Sequence, residues 1–464
     1  MRQRLPAPAG RHLLSTDDRA FLGHPKGLGY LSFTEAFERF SYYGMQALLV
    51  LYMVKYLLLP GNFERVWLLK PLQSLLGGLE GQPLASAIFG LYASLVYLTP
   101  IAGGMIADRW LGKRLTVLAG AITMAVGHFL MAFEPAFLLA QLCLIVGTGL
   151  FKGNIASQVG ALYGPEDNRR ADAFQIFYLG INAGVIAAPL IVGTLGETKG
   201  WHWGFGAAGI GMVIGLAIYV AGQKYLGPEP ARVKGAARPK LTPTEWRQTL
   251  GLLMLIPVLA IAVVPNQQIF NAYLLWGDGA FDLQFRGTQL PTTWLITLDA
   301  IVSVSFLAGV ALFWRWWAIN HKEPDEVGKL LIGSLFSFAG MMALVAAAVQ
   351  GESGKIGLAL PVLFHVLNSI GFAHMMPVSL ALFARRAPAS LNSTVIGLYY
   401  LCLVGGNALV GWIGGLFSTM SPVSFWLMHA GFAVVGGVGF LLFRLLVWNR
   451  GGAGKGLPEA IPAP

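Results

Sequence analysis

Long apolar stretches, broken at short intervals by polar and charged clusters, dominate the chain. They fall near residues 30–59, 84–110, 114–133, 136–163, 171–195 and 201–226, and again near 248–276, 291–319, 327–350, 356–386, 391–418 and 423–448. Roughly 20 apolar residues in a helix cross the ~30 Å hydrocarbon core of a bilayer. The pattern therefore predicts an all-α polytopic membrane protein with 12 transmembrane helices, six on each side of the hydrophilic segment "GPEPARVKGAARPKLTPTEWRQ". The expected units are a cytoplasmic tail over 1–29, a six-helix bundle over 30–226, a cytoplasmic linker over 227–247, a second six-helix bundle over 248–448 and a cytoplasmic tail over 449–464.

Polar residues interrupt the first apolar run in "FTEAFERFSYYGMQ". At 3.6 residues per turn, Glu35, Glu38, Arg39, Tyr42, Tyr43 and Gln46 share one helix face, with Phe37, Phe40, Gly44 and Leu48 on the other. Charges at membrane depth cost a few kcal/mol or more unless paired, so this stripe must face a cavity or the bundle interior. The alternative is a Glu35–Arg39 pair snorkelling at the interface. Lys152, midway along the fourth run, is the next charge that cannot easily reach a loop; it needs a carboxylate partner, and the glutamates of the first helix are the obvious ones. Asn182 in the fifth run, Gln267, Gln268 and Asn271 in the seventh and Asp299 in the eighth are the remaining conspicuous polar positions. His128, His365, His374 and His429 share no stripe with Glu35 and Glu38 and read as polar contacts within the bundle rather than a proton relay. Pro100, Pro189, Pro257, Pro265 and Pro377 are expected to kink their helices.

Composition agrees with this picture. The chain of 464 residues is 55% hydrophobic and 12% charged, far too apolar for an ordinary soluble domain. Its net charge of +10 comes from short basic clusters between apolar runs, which mark orientation rather than nucleic-acid binding. One set of alternate loops holds only Arg65, Lys70, Lys199, Arg286 and Lys355; the other set holds the great majority of Lys and Arg. The positive-inside rule then places both termini in the cytoplasm. Cys143 and Cys402 lack metal-ligand spacing, and residues 1–29 lack a cleavable signal pattern. A membrane-embedded enzyme would need a metal cluster or a nucleophile–base set near one interface, and the sequence offers neither; no enzymatic activity is expected.

"GGMIADRWLGKR", Gly103 to Arg114, matches the signature loop of the major facilitator superfamily, whose fold is two six-helix bundles that rock about a central site. "EAFERFSYYG" then resembles the Glu-x-x-Glu-Arg-Phe-x-Tyr-Tyr-Gly signature of the proton-dependent oligopeptide transporters. The likeness continues in order through "YLTPIAGGMIADRWLGKR", "GTGLFKGNIASQVGALY" and "FQIFYLGINAG", and more weakly through "GFAHMMPVSLALFARRAP" and "VIGLYYL". What the resemblance implies is symport of di- and tripeptides with protons across the plasma (inner) membrane, by a monomer with no cofactor and no metal. Glu35, Glu38, Arg39 and Lys152 match the coupling residues, with Arg39 and Lys152 receiving the peptide carboxylate. Tyr42, Tyr43, Tyr97, Asn182, Gln268, Asp299 and Tyr399 fall at or beside pocket positions.

The departures from the family pattern are specific. The tenth-helix motif whose glutamate receives the peptide amino group reads "GFAHMMP" here, with Phe372 at that position. Gln267 stands where the seventh helix has an acid, and Asp299 where the eighth commonly has asparagine, so Asp299 is the expected substitute for the missing negative charge. Gln46 and Gly153 replace a common arginine and a proline, and the linker is too short for the two extra helices of many bacterial members. The other solute classes open to such a chain are small anions or drugs, carried with the same Glu38 and Lys152 coupling.

Overall fold

The computed structural model describes residues 18–164, 167–227, 242–388 and 391–448. Most of the expected linker and of both tails, and with them the expected lack of extra linker helices, lies outside the described residues. Twelve long helices follow one another: α1 (Lys26–Tyr52), α2 (Gly81–Ile106), α3 (Lys113–Leu130), α4 (Phe137–Ala161), α5 (Arg169–Ala188, continued by Pro189–Gly193 and Thr194–Lys199), α6 (Trp201–Gly222), α7 (Pro243–Gln267, then Gln268–Phe270 and Ala272–Ala280), α8 (Trp294–Trp317), α9 (Glu326–Gly351), α10 (Ala359–Arg386), α11 (Asn392–Tyr399, then Leu401–Gly414) and α12 (Pro422–Phe443). All but α1 and α3 are, with their continuations, long and apolar enough to cross a membrane. Those two are diluted by the polar stripe of α1 and by Lys113, Arg114 and His128 of α3.

Local chemistry sets the helix ends. Thr242 and Glu245 form a reciprocal capping box behind Pro243 at the start of α7; Asp325 caps α9 through Gly328 N at 2.8 Å, and Ser421 caps α12 ahead of Pro422. At the end of α2 the signature loop runs through a π turn, Ala107–Leu111, and turns at Gly112, whose φ of 79° suits glycine. Pro189 likewise opens a π segment within α5, and α7 breaks two residues after Pro265. A short helix, Leu69–Leu75, and a hairpin, Gln284–Phe285 paired with Thr288–Gln289, decorate two of the loops.

The two halves repeat one packing scheme. In the first, α1 packs on α5 and α6, α4 on α2 and α3, and α3 on α6; in the second, α7 packs on α11 and α12, α10 on α8 and α9, and α9 on α12. Adding six to each helix number converts the first list into the second. The halves meet through α2 against α11 and α5 against α8, contacts that exchange under the same operation. This is the two-bundle architecture that the resemblance implied.

Hydrogen bonds close the seam at the end of the bundle where α1, α5, α7 and α11 finish. Lys55 pairs with Asp278 at 2.6 Å, Ser86 bonds Asn271 at 2.9 Å, and Gln82 donates to the Gly414 carbonyl at 2.8 Å. Glu197 of α5 accepts from Thr292 N, Thr293 N and Thr293 Oγ1 at 2.8, 2.9 and 2.6 Å, so a carboxylate of one half caps the first turn of α8 in the other. Toward the opposite end the seam loosens: Tyr178 on α5 and Tyr400 on α11 are within electrostatic reach of each other yet 59% and 37% exposed.

The α2–α11 crossing depends on glycine. A Cβ on Gly90 would stand 2.5 Å from Gly411 Cα and 2.8 Å from the Asn407 carbonyl, backbone atoms that cannot swing away. Gly90→Ala is therefore expected to lower stability by about 1–3 kcal/mol through overpacking, whereas Gly104→Ala, with nothing within 4 Å of its Cβ, leaves it unchanged. Thermal unfolding of the purified variants checks this; equal melting temperatures would contradict the close crossing.

Candidate functional site

The polar face of α1 is turned into the protein. Glu35, Glu38, Arg39 and Tyr42 are 4%, 1%, 4% and 4% exposed, and Gln46 is also buried. The other face accounts for this: Phe40 and Leu48 pack against α5 and α6, where Gly211, Gly196 and Gly204 give them room, and Gly44 makes room in turn for Val192 of α5. Gly184 of α5 crosses at Arg39 itself, since a Cβ there would meet the Ala36 carbonyl at 2.2 Å and Arg39 Cβ at 3.1 Å. The close crossing fixes the α1 stripe toward α2, α4 and the seam.

Arg39 is the hub of the charges. Its Nε lies 3.1 Å from Glu35 Oε1 and in direct contact with Glu38 Oε2, so one guanidinium bridges both carboxylates. Glu35 Oε2, Glu38 Oε1 and Arg39 Nη2 retain unused hydrogen-bonding capacity among the described residues. Lys152 points toward the same cluster from α4, its Nζ 4.5 Å from the centre of the Tyr97 ring. Among the described residues no carboxylate comes within 4.0 Å of Lys152, although Glu35 and Glu38 lie within electrostatic reach. In this conformation Arg39 holds the glutamates and Tyr97 holds the lysine, in place of the expected pairing of Lys152 with a first-helix glutamate.

Aromatic contacts link the charges to the other half. Arg39 Cζ stands 5.4 Å from the Tyr42 ring, Tyr42 packs on Tyr43 at 5.1 Å and on Tyr92 at 6.4 Å, and Tyr43 meets Phe270 of the α7 turn at 6.1 Å. Tyr97 packs against the core of the second half. Asn182, one turn beyond Tyr178, is partly exposed and spends its amide on the Tyr178 carbonyl at 2.9 Å. Glu35, Glu38, Arg39, Tyr42, Tyr43, Tyr97 and Lys152 thus form one connected group where the halves meet.

The expected residues of the second half divide. Asp299 lies at the seam, two residues beyond Thr297, which donates to the α5 Ile186 carbonyl at 3.2 Å. Its Oδ1 is 2.9 Å from His365 Nδ1, and His365 Nε2 is 2.8 Å from the Tyr273 hydroxyl. Gln268 is fully buried in the turn after α7, and neither end of its amide has a hydrogen-bond partner among the described residues. Tyr399 lies in the core of the second half, 1% exposed, with its hydroxyl on Ser379 Oγ at 2.9 Å and the Met376 carbonyl at 3.1 Å. Its hydroxyl bonds within the second half and not to Glu35, Glu38, Arg39 or Lys152; its more exposed neighbour is Tyr400, at the break in α11. His374 and His429 bond to backbone carbonyls within their own helices, at Ile370 and Phe425. Sequence reasoning reads His365 only as a polar contact within the bundle and does not single out Tyr273, because both join Asp299 only through tertiary packing.

The chain resembles proteins of one kind. A family model described as the POT family matches residues 114–238. The uncharacterized transporter YclF of Bacillus subtilis is 31% identical, over 93% of this chain and 95% of the relative. Peptide transporter YePEPT of Yersinia enterocolitica is 30% identical, over 86% of this chain and 89% of the relative. A crystal structure of a peptide transporter POT in complex with sulfate superposes with a TM-score of 0.80 at 26% identity, covering 94% of this chain and 97% of that one.

The bridging geometry makes unequal demands on its members. Arg39→Ala leaves two buried carboxylates facing one another and is expected to cost about 3–5 kcal/mol. Glu38→Gln leaves the Arg39 to Glu35 pair in place and is expected to cost less than half of that. Thermal unfolding in detergent at neutral pH compares the two, and a Glu38→Gln protein as unstable as Arg39→Ala would contradict Arg39 as the hub.

Proposed function

Given that this chain belongs to the POT family of transporters, we propose that it is a symporter that brings di- and tripeptides into the cell together with protons by alternating access. It works in the plasma (inner) membrane as a monomer with both termini cytoplasmic, and it uses no cofactor besides the coupling proton. The observation that carries this reading is the charge set on α1 and α4: Glu35 and Glu38 against Arg39 and Lys152. With both glutamates ionised the set sums to zero. A peptide carboxylate added to it would leave a buried net negative charge, which is expensive in a low-dielectric site. Protonating one glutamate restores neutrality, so the carboxylate and the proton bind together. Glu38, the most buried of the set, is the natural acceptor, and Glu35 shares the proton through Arg39.

Loss of one carboxylate charge frees Arg39, whose Nη2 already has spare donor capacity, and Lys152 to hold the incoming carboxylate. Tyr43, Tyr97 and Asn182 border the path of the peptide backbone, and Asp299 offers the negative charge for its amino end. Gln268 lies buried in the α7 turn. The seam is closed at the end carrying Lys55, Glu197 and Asp278 and looser at the Tyr178 and Tyr400 end; with the termini in the cytoplasm, this supports a carrier facing the cytoplasm. Uptake requires the Glu197 and Lys55 contacts to part and the opposite end to close.

A proton moving down about 100 mV contributes about 2.3 kcal/mol, enough to concentrate a peptide modestly. Proteoliposomes holding pH 8 inside and pH 7 outside are expected to accumulate labelled dialanine above equilibrium, and Lys152→Ala to abolish that accumulation. Undiminished accumulation by Lys152→Ala contradicts the coupling scheme. A wild-type protein that ignores dialanine but moves another anion points to a carrier of a different solute.

A further inference from the structure

One buried titratable set stands apart from the charges on α1 and α4. Asp299 on α8, His365 on α10 and Tyr273 on α7 form a line, carboxylate to imidazole to phenol, with separations of 2.9 and 2.8 Å. His365 and Tyr273 are wholly buried, while the Asp299 side chain keeps 13% exposure at the seam. Asp299 Oδ2 takes no hydrogen bond from the described residues. The surroundings are otherwise quiet. Tyr43 of α1 is the phenol within electrostatic reach of Asp299, α5 presents the Ile186 carbonyl, and α9 carries no charged residue beyond Lys329. On α12, His429 lies behind Trp426 with Nδ1 bonded to the Phe425 carbonyl. No cation other than His365 comes within 4.0 Å of Asp299 among the described residues.

This line keeps its hydrogen bonds in either of two protonation states. When His365 is an imidazolium, Nδ1–H donates to Asp299 and Nε2–H donates to the Tyr273 oxygen; the pair is neutral. When the ring is neutral, Nδ1–H still donates to Asp299, and the Tyr273 hydroxyl turns to donate to Nε2; the pair carries one negative charge. A hydroxyl both donates and accepts, so only its hydrogen has to move.

Building on the peptide-transport reading above, we propose that Asp299, His365 and Tyr273 form a second cation site in which a primary ammonium, such as a peptide amino terminus, and a proton on His365 exclude one another. The ammonium binds Asp299 Oδ2 when the pair is negative. As it enters, the proton on His365 Nε2 passes to solvent, and one positive charge replaces another. The two ends of a peptide then act oppositely on protons: the carboxylate recruits one at Glu38 and the ammonium displaces one at His365. At acid pH, the number of protons taken up with a free peptide is lower by one than the α1 set alone would give.

Calorimetric titration of the full-length protein with dialanine, in two buffers of different ionisation enthalpy, counts the protons linked to binding. At about pH 5.5 the His365→Gln protein is expected to take up close to one proton more than wild type. At pH 8 the two are expected to agree. Equal proton counts at both pH values overturn the proposal. If His365→Gln does not fold, histidine-labelled wild type supplies the same information by NMR: one buried imidazole loses its proton on adding dialanine at pH 5.5, and unchanged imidazole signals overturn the proposal. Dialanine that binds neither protein removes the peptide reading itself, and this inference with it.

Discussion

Arg39, bridging Glu35 and Glu38 inside the bundle, is the interaction on which the rest depends. Two carboxylates and two cations are taken out of water on adjacent helices, and they remain tolerable only while their charges sum to zero. That constraint explains why α1 turns its polar face inward, why glycines at positions 184 and 211 let α5 and α6 close over its other face, and why Lys152 waits over an aromatic ring rather than in lipid. The same constraint turns a structural necessity into coupling. An anionic group can enter a balanced set only with a cation, and the smallest cation available is a proton.

Moving that set between two aqueous faces is the task of the twofold repeat. The helices that join the halves, α2 with α11 and α5 with α8, exchange under the operation that relates the bundles, so a rocking motion about the centre loosens one end of both contacts while tightening the other. At the closed end the bonds are few and individually separable: one ion pair, one carboxylate capping a foreign helix and a handful of amide and hydroxyl contacts. Several bonds of about 1–3 kcal/mol each hold a conformation without locking it. The backbone-to-backbone approach of Gly90 and Gly411 supplies a surface on which the halves can turn with no side chain in the way.

Much of this was legible in the sequence because it is written locally. The apolar runs placed the twelve helices, and the spacing of Glu35, Glu38, Arg39, Tyr42 and Tyr43 put them on one face, since helical periodicity alone decides that. What was not legible depends on partners far along the chain. The carboxylate of Asp299 stood out, but its partner lies two helices on at His365, and nothing near either residue announces the pairing. Tyr399 illustrates a second cause: in α11, interrupted at Tyr400, Tyr399 lies in the core on Ser379 and its neighbour Tyr400 stays partly exposed, a choice between adjacent positions that packing partners make. The pairing of Lys152 with a first-helix glutamate expected from charge alone gave way to Arg39, which sits on the same helix as both glutamates and reaches them first. The short helix Leu69–Leu75 and the hairpin at Gln284–Gln289 lie in loops where no strong periodicity speaks.

The account's central claim is that substrate anion and proton enter one neutral set together. Its most direct test is the pH dependence of dialanine affinity between about pH 7 and 9, compared between wild type and a protein carrying both Glu35→Gln and Glu38→Gln. The dialanine amino group itself titrates in this range and does so alike for both proteins, so the account predicts that wild-type affinity weakens more steeply with rising pH than that of the double variant, the difference approaching tenfold per pH unit once the glutamates have lost their shared proton. Parallel slopes in the two proteins would contradict it.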